Sequence, residues 1–348
     1  MAMTYNDRKN VIDAKRQQVI DNLLDSMQNN PTAWRKGWFT LPTLPTNGKT
    51  HQNYRGVNAL NLSFIAEKRG YKDNRWVTFN QAKELGASVK AGQKSSDVMF
   101  WSQYDRNTKK QFDLKTIAGM SDEEKNEYIK EYVKPVLKFF SVFNAEQCEN
   151  FPERTEHKMS EEEMANKNTA IEKIIANSAA PIFHDTTKAY YVPSLDEIHL
   201  PKEEMFFTER NYYATALHEI AHSTGHSSRL NRDLSGVFGS SDYAMEELRA
   251  ELSSVFMQTD LGIDLGDAEI GNHGAYLSSW MSAIKEDPDV FYKAVSDASK
   301  IVTFIKENYL EAESKASISR SKATVVTLES FMADNVFANN ASTSEMEL

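Results

Sequence analysis

The sequence predicts a two-domain α+β protein, in which a small mixed α/β domain precedes a mainly helical domain. Its 348 residues match two domains of ordinary size. Charge divides the chain in the same way: residues 1–150 hold 23 Lys and Arg against 17 Asp and Glu, a balance of +6, whereas residues 151–348 hold 17 against 33, a balance of −16. This asymmetry favours two modules and suggests a nucleic acid or another anion as the partner of the first.

The overall composition excludes several classes of protein. Apolar residues make up 40% of the chain, which is enough to build ordinary cores and argues against a disordered protein. The net charge of −10 argues against a wholly basic nucleic-acid-binding protein. A single cysteine, Cys148, excludes a disulfide framework and a cysteine-based zinc cluster. Because no apolar run reaches the length of a membrane span and no signal-peptide pattern opens the chain, we expect a cytoplasmic protein.

The first predicted domain covers residues 1–152. Apolar positions at helical spacing predict an amphipathic helix over 4–29, and an ordered loop containing aromatic residues follows over 31–56. The remaining helices are predicted over 57–68 and, capped by Asn80, over 80–85. Short β-branched and aromatic runs predict strands over 76–79, 98–101 and 136–143. The charged stretch 105–135 reads as an insertion that contains a helix over 122–132.

A polar linker over 153–168 is predicted to lead into the second domain, 169–315. One strand pair is expected, over 190–193 and 197–201. Helical periodicity predicts five helices, over 168–177, 208–224, 242–260, 274–284 and 289–308. The Ser/Thr/Asn-rich tail 316–348 is expected to be mobile.

The strongest chemical signal is His218-Glu219-Ile220-Ala221-His222 within the predicted helix 208–224. A spacing of four residues places both imidazoles on one face of a helix, where they can share one metal ion. Glu219 lies beside them and can act as a general base on water. The pattern also arises by chance in unrelated proteins, so a third ligand is needed to support the interpretation.

Two sources of a third ligand can be compared. The metzincin class would place a histidine six residues after His222, but that position is Ser228. His226 falls between the expected positions and reads more simply as a polar residue just past the end of the helix. The metzincin class is therefore disfavoured.

A glutamate from the next helix is the alternative. Glu247 and Glu251 lie four residues apart and share a helical face, whereas Glu246 points about 100° away. We predict Glu247 as the third metal ligand and Glu251 as the carboxylate that orients a liganding imidazole. Without the upstream histidines, this stretch would read as a solvated acidic face. The segment from Glu246 to Glu251 resembles the Asn-Glu-x-x-Ser-Asp segment of the thermolysin-like gluzincins.

These parts predict zinc-dependent peptide hydrolysis. Zinc lowers the pKa of water and polarises a carbonyl, and Glu219 accepts the proton. Zinc is the expected metal, one ion per chain, with another divalent ion such as Mn²⁺ as the alternative. The group that stabilises the oxyanion stays open among Tyr243, His273 and Tyr276, each of which reads equally well as a packing residue.

Cations alternate with aromatic residues in the N-terminal half. Proteins that bind single strands without sequence preference use cations for phosphates and aromatic faces for unstacked bases. A large aromatic residue is more often part of a core, so each stacking assignment competes with a packing role. The candidate DNA-binding residues are Lys36, Trp38, Tyr54, Arg55, Trp76, Lys90 and Lys94.

Four blocks of the N-terminal half resemble the N-terminal domain of ArdC-type antirestriction proteins. The blocks are Trp34, Trp38 and Asn53-Tyr54-Arg55-Gly56-Val57-Asn58; Trp76-Val77-Thr78-Phe79-Asn80-Gln81-Ala82; Val89-Lys90-Ala91-Gly92-Gln93-Lys94; and Val142-Phe143-Asn144-Ala145-Glu146-Gln147. Downstream, the stretches around 191–201, 212–230 and 243–251 are similar to the metallopeptidase domain of the same family. The resemblance covers about residues 10 to 310, except for the stretch 105–135.

The resemblance implies a protein of a mobile genetic element, such as a conjugative plasmid, that binds single-stranded DNA and protects incoming DNA from host restriction. It also implies a zincin-like, gluzincin-type second domain. Two hypotheses follow. The chain is either an enzyme whose zinc peptidase site removes a host restriction or defence protein, or a non-catalytic DNA-protecting protein whose metal site is structural. An intact Glu219 favours the enzyme, because a structural site needs ligands but no general base.

Overall fold

The computed structural model describes five stretches of the chain, residues 5–29, 45–153, 161–236, 240–261 and 277–311. Most of the predicted loop 31–56, the centre of the predicted linker 153–168 and the whole predicted tail 316–348 lie outside the described residues. Among the described residues, no helix is both long enough and apolar enough to cross a membrane.

A five-stranded sheet forms the centre of the N-terminal half; in spatial order it runs from β1 (Thr46–Asn47) through β2 (Arg75–Thr78), β6 (Val133–Asn144) and β4 (Ser96–Asp105) to β5 (Lys110–Gln111). A small separate ladder joins β3 Ser88–Val89 to β7 Cys148–Glu149. The three strands predicted from the sequence are present. The two-residue strands were not predicted, because so short a run carries no readable alternation.

The long antiparallel pair of β4 and β6 dominates this sheet. Ten register positions join the two strands, from Ser96 opposite Val142 to Asp105 opposite Val133. Both strands therefore extend into the stretch 105–135, whose two ends belong to the sheet. Along part of the free edge of β4, the Asn58 side chain takes the place of a neighbouring strand. Its amide donates to the Met99 carbonyl and its oxygen accepts the Met99 N–H, both at 2.7 Å.

Within residues 5–29 and 45–153, four α-helices accompany the sheet: α1 Tyr5–Asn29, α2 Gly56–Arg69, α3 Phe79–Glu84 and α4 Asp122–Tyr132. The helix expected over 122–132 is confirmed, and a capping box between Ser121 and Glu124 begins it. The cap expected at Asn80 is wrong. Thr78 caps α3 instead, since its hydroxyl accepts the Gln81 N–H and the Gln81 side chain accepts the Thr78 N–H. Phe79, predicted to lie in a strand, is therefore helical.

The described part of the C-terminal half contains five α-helices and a small sheet. The helices are α5 Glu161–Ala176, α6 Glu209–Ser223, α7 Ser241–Leu261, α8 Leu277–Glu286 and α9 Asp289–Ile305, and the strands are β8 Ile182–Phe183, β9 Tyr190–Val192 and β10 Glu197–His199, in the order β8-β10-β9. The expected strand pair is antiparallel, as Ile198 lies opposite Tyr191. Helix α5 begins at Glu161, so the last part of the predicted linker is helical.

One hydrophobic cluster connects the two halves. It contains Leu23 of α1, Leu217 of α6 and Phe291 of α9, all fully buried. At its edge, Arg16 pairs with Asp289 at 2.5 Å. The N-terminal helix therefore shares one core with helices from both halves, including α9 near the end of the described residues.

Candidate metal centre

Helix α6 brings His218 and His222 onto one face. The helix begins after Thr208, whose side chain accepts the Asn211 N–H. The two imidazole rings lie 4.7 Å apart between centroids, and their Nε2 atoms are 3.1 Å apart. Both Nε2 atoms therefore point at the same small volume, as a spacing of four residues on a helix requires.

Glu247 of α7 faces both imidazoles. Its Oε2 lies 3.6 Å from the His218 Nε2, and its Oε1 lies 3.6 Å from the His222 Nε2. One donor atom from each of the three residues falls within 4.8 Å of the others. The structure thus brings together the three residues expected as ligands, and they could hold one metal ion.

A carboxylate backs each imidazole on the side away from Glu247. Glu251 Oε1 lies 3.3 Å from the His218 Nδ1, and Glu246 Oε1 lies 3.3 Å from the His222 Nδ1. The first contact was expected, but the contact of Glu246 was missed, because Glu246 was read as pointing away from the site. The two nitrogens of His222 contact consecutive residues of α7, since Nδ1 lies 3.3 Å from Glu246 and Nε2 lies 3.6 Å from Glu247. The turn of about 100° between these two glutamates therefore places Glu246 beside His222 and not outside the site.

Arg232 holds Glu246 in place. Its guanidinium contacts both carboxylate oxygens of Glu246, at 2.6 and 3.2 Å, and also donates to the Thr224 hydroxyl and the Ala221 carbonyl. Burial acts to raise the pKa of Glu246, but hydrogen bonds with His222 and Arg232 lower it to about 2. Sequence reasoning missed Arg232 because it lies outside both helices, in a segment with no motif.

Glu219 lies buried beside the histidines. Its carboxylate accepts a hydrogen bond from the Tyr191 backbone on β9. Burial raises the pKa of Glu219, and the nearby His218 and His222 offset only part of that effect. A buried carboxylate with a raised pKa is suited to take up a proton near neutral pH.

The charges around the imidazoles fit a cation. Burial acts to lower the pKa of His218, but Glu247 and Glu251 raise it well above its ordinary value. A raised pKa means that these carboxylates favour a positive charge on the imidazole, and they would favour a bound cation in the same way. Two imidazoles and one carboxylate are also a donor set that zinc and similar divalent ions use in hydrolytic sites.

The other residues considered for this site lie in different places. His226 contacts Ser228 at 2.8 Å and Asp196 at 3.8 Å, and it is not among the three grouped donors. The Tyr243 hydroxyl hydrogen-bonds to the Glu247 carboxylate. His273 and Tyr276 lie outside the described residues.

The expected DNA-binding residues separate into different groups. Trp76 is fully buried and Tyr54 is 7% exposed, and both belong to one hydrophobic cluster with α2. Neither ring can stack on a base, so the stacking role predicted for them is corrected to a packing role. The spacing of aromatic residues in the sequence could not distinguish a packing role from a stacking role, because buried and exposed aromatic residues occur in the same strands.

The expected cations are more accessible. Arg55 is largely exposed and lies 3.3 Å from Asp260 of α7. Lys90 donates to the Glu146 carbonyl, and Lys94 is exposed. Lys36 and Trp38 lie outside the described residues.

Comparison with known families assigns both halves. Residues 13–143 match the N-terminal domain of anti-restriction factor ArdC, and residues 169–297 match a zincin-like metallopeptidase domain. A DNA primase TraC of Escherichia coli is 39% identical over 300 residues, 83% of this chain. The chain spans only 27% of the length of that primase and 19% of a second TraC primase. An uncharacterized protein, y4eC of Sinorhizobium fredii, is 30% identical over 300 residues and is covered over 93% of its length.

Solved structures give the same answer. The crystal structure of the antirestriction ArdC protein from the R388 plasmid is 31% identical, with a TM-score of 0.61, and covers 84% of this chain and 97% of its own. A Mn(II)-bound structure of that protein matches with a TM-score of 0.60. Together with the zincin-like domain and the grouped donors, this neighbour suggests a divalent metal. The α+β fold and both domain matches show that the chain belongs to the ArdC family of antirestriction proteins.

Proposed function

We propose that this chain protects the incoming DNA of a mobile genetic element from host restriction, by binding single-stranded DNA and carrying a zinc-dependent peptidase site. The observation that carries the enzymatic part is the arrangement around Glu219. Two imidazoles and Glu247 present their donors to one volume, and a buried general base lies beside them. The substrate of such a site would be a host restriction or defence protein.

His218, His222 and Glu247 would hold the metal, one ion per chain. When bound, zinc supplies Lewis acidity, which polarises a carbonyl and makes water a nucleophile near neutral pH. The carboxylates of Glu251 and Glu246 each lie 3.3 Å from an Nδ1 atom and so favour rings whose Nε2 atoms point inward. Mn²⁺ is the alternative ion, since the same donors accept it.

Glu219 would take the proton from the attacking water and return it to the leaving amine. Its hydrogen bond from the Tyr191 backbone fixes the carboxylate beside β9. Burial raises its pKa, which brings proton uptake closer to neutral pH. A metal site with a purely structural role needs no such group, and this supports the catalytic reading over the non-catalytic alternative.

Single-strand binding is assigned to the N-terminal half. The balance of +6 in residues 1–150 favours approach to a polyanion, whereas the −16 of the remainder opposes it. Arg55 and Lys94 expose their charged groups on this half. Lys36 and Trp38 stay candidates from the sequence alone.

The proposed peptidase activity is tested with variants that distinguish the general base from the metal ligands. Glu219→Gln should keep one metal per chain and the native fold but lose peptidase activity, because an amide cannot accept the proton. His218→Ala and Glu247→Ala should lose the metal. The exposed Glu204→Gln serves as a matched control in the same half of the chain.

Metal content is measured by mass spectrometry, and cleavage is compared across the host proteome with native and variant full-length protein. Loss of metal from Glu219→Gln, as complete as from His222→Ala, would make Glu219 a ligand and refute the mechanism. Identical cleavage profiles for native protein and Glu219→Gln, with metal bound in both, would favour the non-catalytic alternative.

A further inference from the structure

One face of the long β4–β6 pair carries exposed aromatic rings and lysines. Side chains at paired register positions point to the same side of a sheet, and alternate residues along a strand share that side. Phe100 lies opposite Lys138, and Tyr104 lies opposite Lys134. Phe140 follows on the same side, opposite Val98. We call the set Phe100, Tyr104, Lys134, Lys138 and Phe140 the aromatic–lysine face.

Among the residues that the structure describes, neighbouring helices cover other parts of these strands but leave this face open. Val98 and Val142 lie on the same side of the sheet, at the end that is buried together with α2. Met99 and Phe139 lie on the opposite side, in the cluster that contains α1. Beyond Val98, Phe100 is 45% exposed, Phe140 44% and Tyr104 39%.

Exposed rings on one sheet face mark a binding surface. The Phe100 and Phe140 rings meet edge to face, 5.6 Å apart between centroids. This packing holds them in position without burying them. Apolar rings exposed together in this way usually indicate an interaction site, because burying them against a partner is favourable.

The charges on this face select an anionic partner. Lys138 is exposed and stands directly across from Phe100. Neither β4 nor β6 places an acidic side chain on this side, since Asp97 and Asp105 alternate to the other. Asp97 pairs there with Lys15 of α1 at 2.8 Å, and Asp105 is buried. Cations therefore flank the rings, with no carboxylate from either strand among them.

We propose that the aromatic–lysine face is the surface on which single-stranded DNA stacks its bases, with the two lysines contacting the phosphates. This assignment rests on the proposed DNA binding and gives it a location. Single-strand binders combine these two residue types because every base offers a flat face and every nucleotide a phosphate. Phe100 and Tyr104 stand about 13 Å apart along the strand, so they take different bases.

Duplex DNA does not fit this surface, because its bases are already stacked and offer no free faces to the rings. We therefore expect a duplex oligonucleotide to bind this face more weakly than a single strand of the same length.

The test uses the full-length chain and a fluorescent oligothymidine. Phe100→Ala and Phe140→Ala should each weaken binding by about 5- to 150-fold, the equivalent of about 1 to 3 kcal/mol for a lost stack. Lys138→Gln should reduce the slope of log affinity against log salt by about 0.7, the value for one single-strand phosphate. The aromatic variants should leave this slope unchanged.

Trp101 offers a matched control. It lies next to Phe100, is 46% exposed and points to the opposite side of the sheet. Trp101→Ala should therefore bind oligothymidine as the native protein does. Circular dichroism and thermal melting establish that each variant is folded.

A measurement on the native chain removes any dependence on the folding of variants. Ultraviolet cross-linking to an oligonucleotide containing 5-iododeoxyuridine should modify Phe100, Tyr104 or Phe140, as located by peptide mass spectrometry. Cross-links confined to other surfaces, or aromatic variants that bind like the native chain, would overturn this site while leaving DNA binding intact. Failure of the native chain to bind any single strand would overturn the proposed DNA binding and this site together.

Discussion

Replacing Arg232 tests how the carboxylate behind His222 is held. In Arg232→Met the Glu246 carboxylate, whose side chain is 9% exposed, loses its nearest cation. Removing one partner of a buried ion pair costs about 3 to 5 kcal/mol, since the other charge stays buried. The Thr224 hydroxyl and the Ala221 carbonyl lose their donor as well. We therefore expect a loss of about 3 to 5 kcal/mol in the free energy of unfolding.

Urea unfolding of the full-length chain, followed by far-ultraviolet circular dichroism with a chelator present, measures this loss without a contribution from bound metal. Arg106→Met is the matched control, because Arg106 is exposed, and it should stay within about 0.5 kcal/mol of the native protein. A double variant, Arg232→Met with Glu246→Gln, removes the buried charge. Its destabilisation should fall short of the sum of the single changes by about 1 to 3 kcal/mol.

Two results would contradict this reasoning. If Arg232→Met unfolds like the native protein, Arg232 does not hold Glu246, and Arg249, 3.6 Å from Glu246 Oε2, is sufficient to balance its charge. If the double variant equals the sum of the two single variants, the two residues act independently and their contact contributes nothing.

Three further changes test other parts of the structure. Glu251→Gln should weaken metal binding by about 10- to 100-fold, because it removes the charge that orients the His218 imidazole; competition with a chromophoric chelator measures the affinity, and an unchanged value would contradict the role. Trp280→Ala should cost about 3 to 5 kcal/mol in urea unfolding, because the ring is fully buried; a loss below 1 kcal/mol would mean that the core around α8 is not packed as described. Although burial acts to raise the pKa of Asp196, its hydrogen bond with Arg229 helps to hold it below 3.8. The stability from this pair should be complete above pH 3.8 and decline as pH falls further, and thermal melts of native protein and Asp196→Asn should therefore converge in acid.

Local sequence patterns were sufficient to predict the helices that carry the metal centre. His218 and His222 depend on the 3.6-residue repeat alone, and helix α6 was predicted to within one residue at each end. Glu247 could be predicted as the third ligand because the two histidines required one more donor and the next predicted helix carries glutamates on one face. These features depend on the spacing of residues within single helices, and the sequence alone contains that spacing.

The roles of Glu246, Arg232 and the aromatic residues required the tertiary structure. Glu246 lies beside His222 because α7 packs against α6 with both Glu246 and Glu247 next to that imidazole. Trp76 and Phe100 both occur in aromatic strand segments, yet one is fully buried and the other is 45% exposed. Which of the two is covered depends on where α2 packs against the sheet, and periodicity along a single strand does not contain that information.

The hydrophobic cluster shared by both halves has a consequence for synthesis on the ribosome. Arg16 and Asp289 are separated by 273 positions in the chain. At about 5 to 20 residues per second, the partner of α1 emerges roughly 14 to 55 s after α1 itself. Until then the first helix can pack only against earlier elements such as α2, whose Asn61 accepts a hydrogen bond from Asn22, and its contacts with α9 are missing. Nascent chains should therefore engage chaperones through this helix, and release should follow completion of α9.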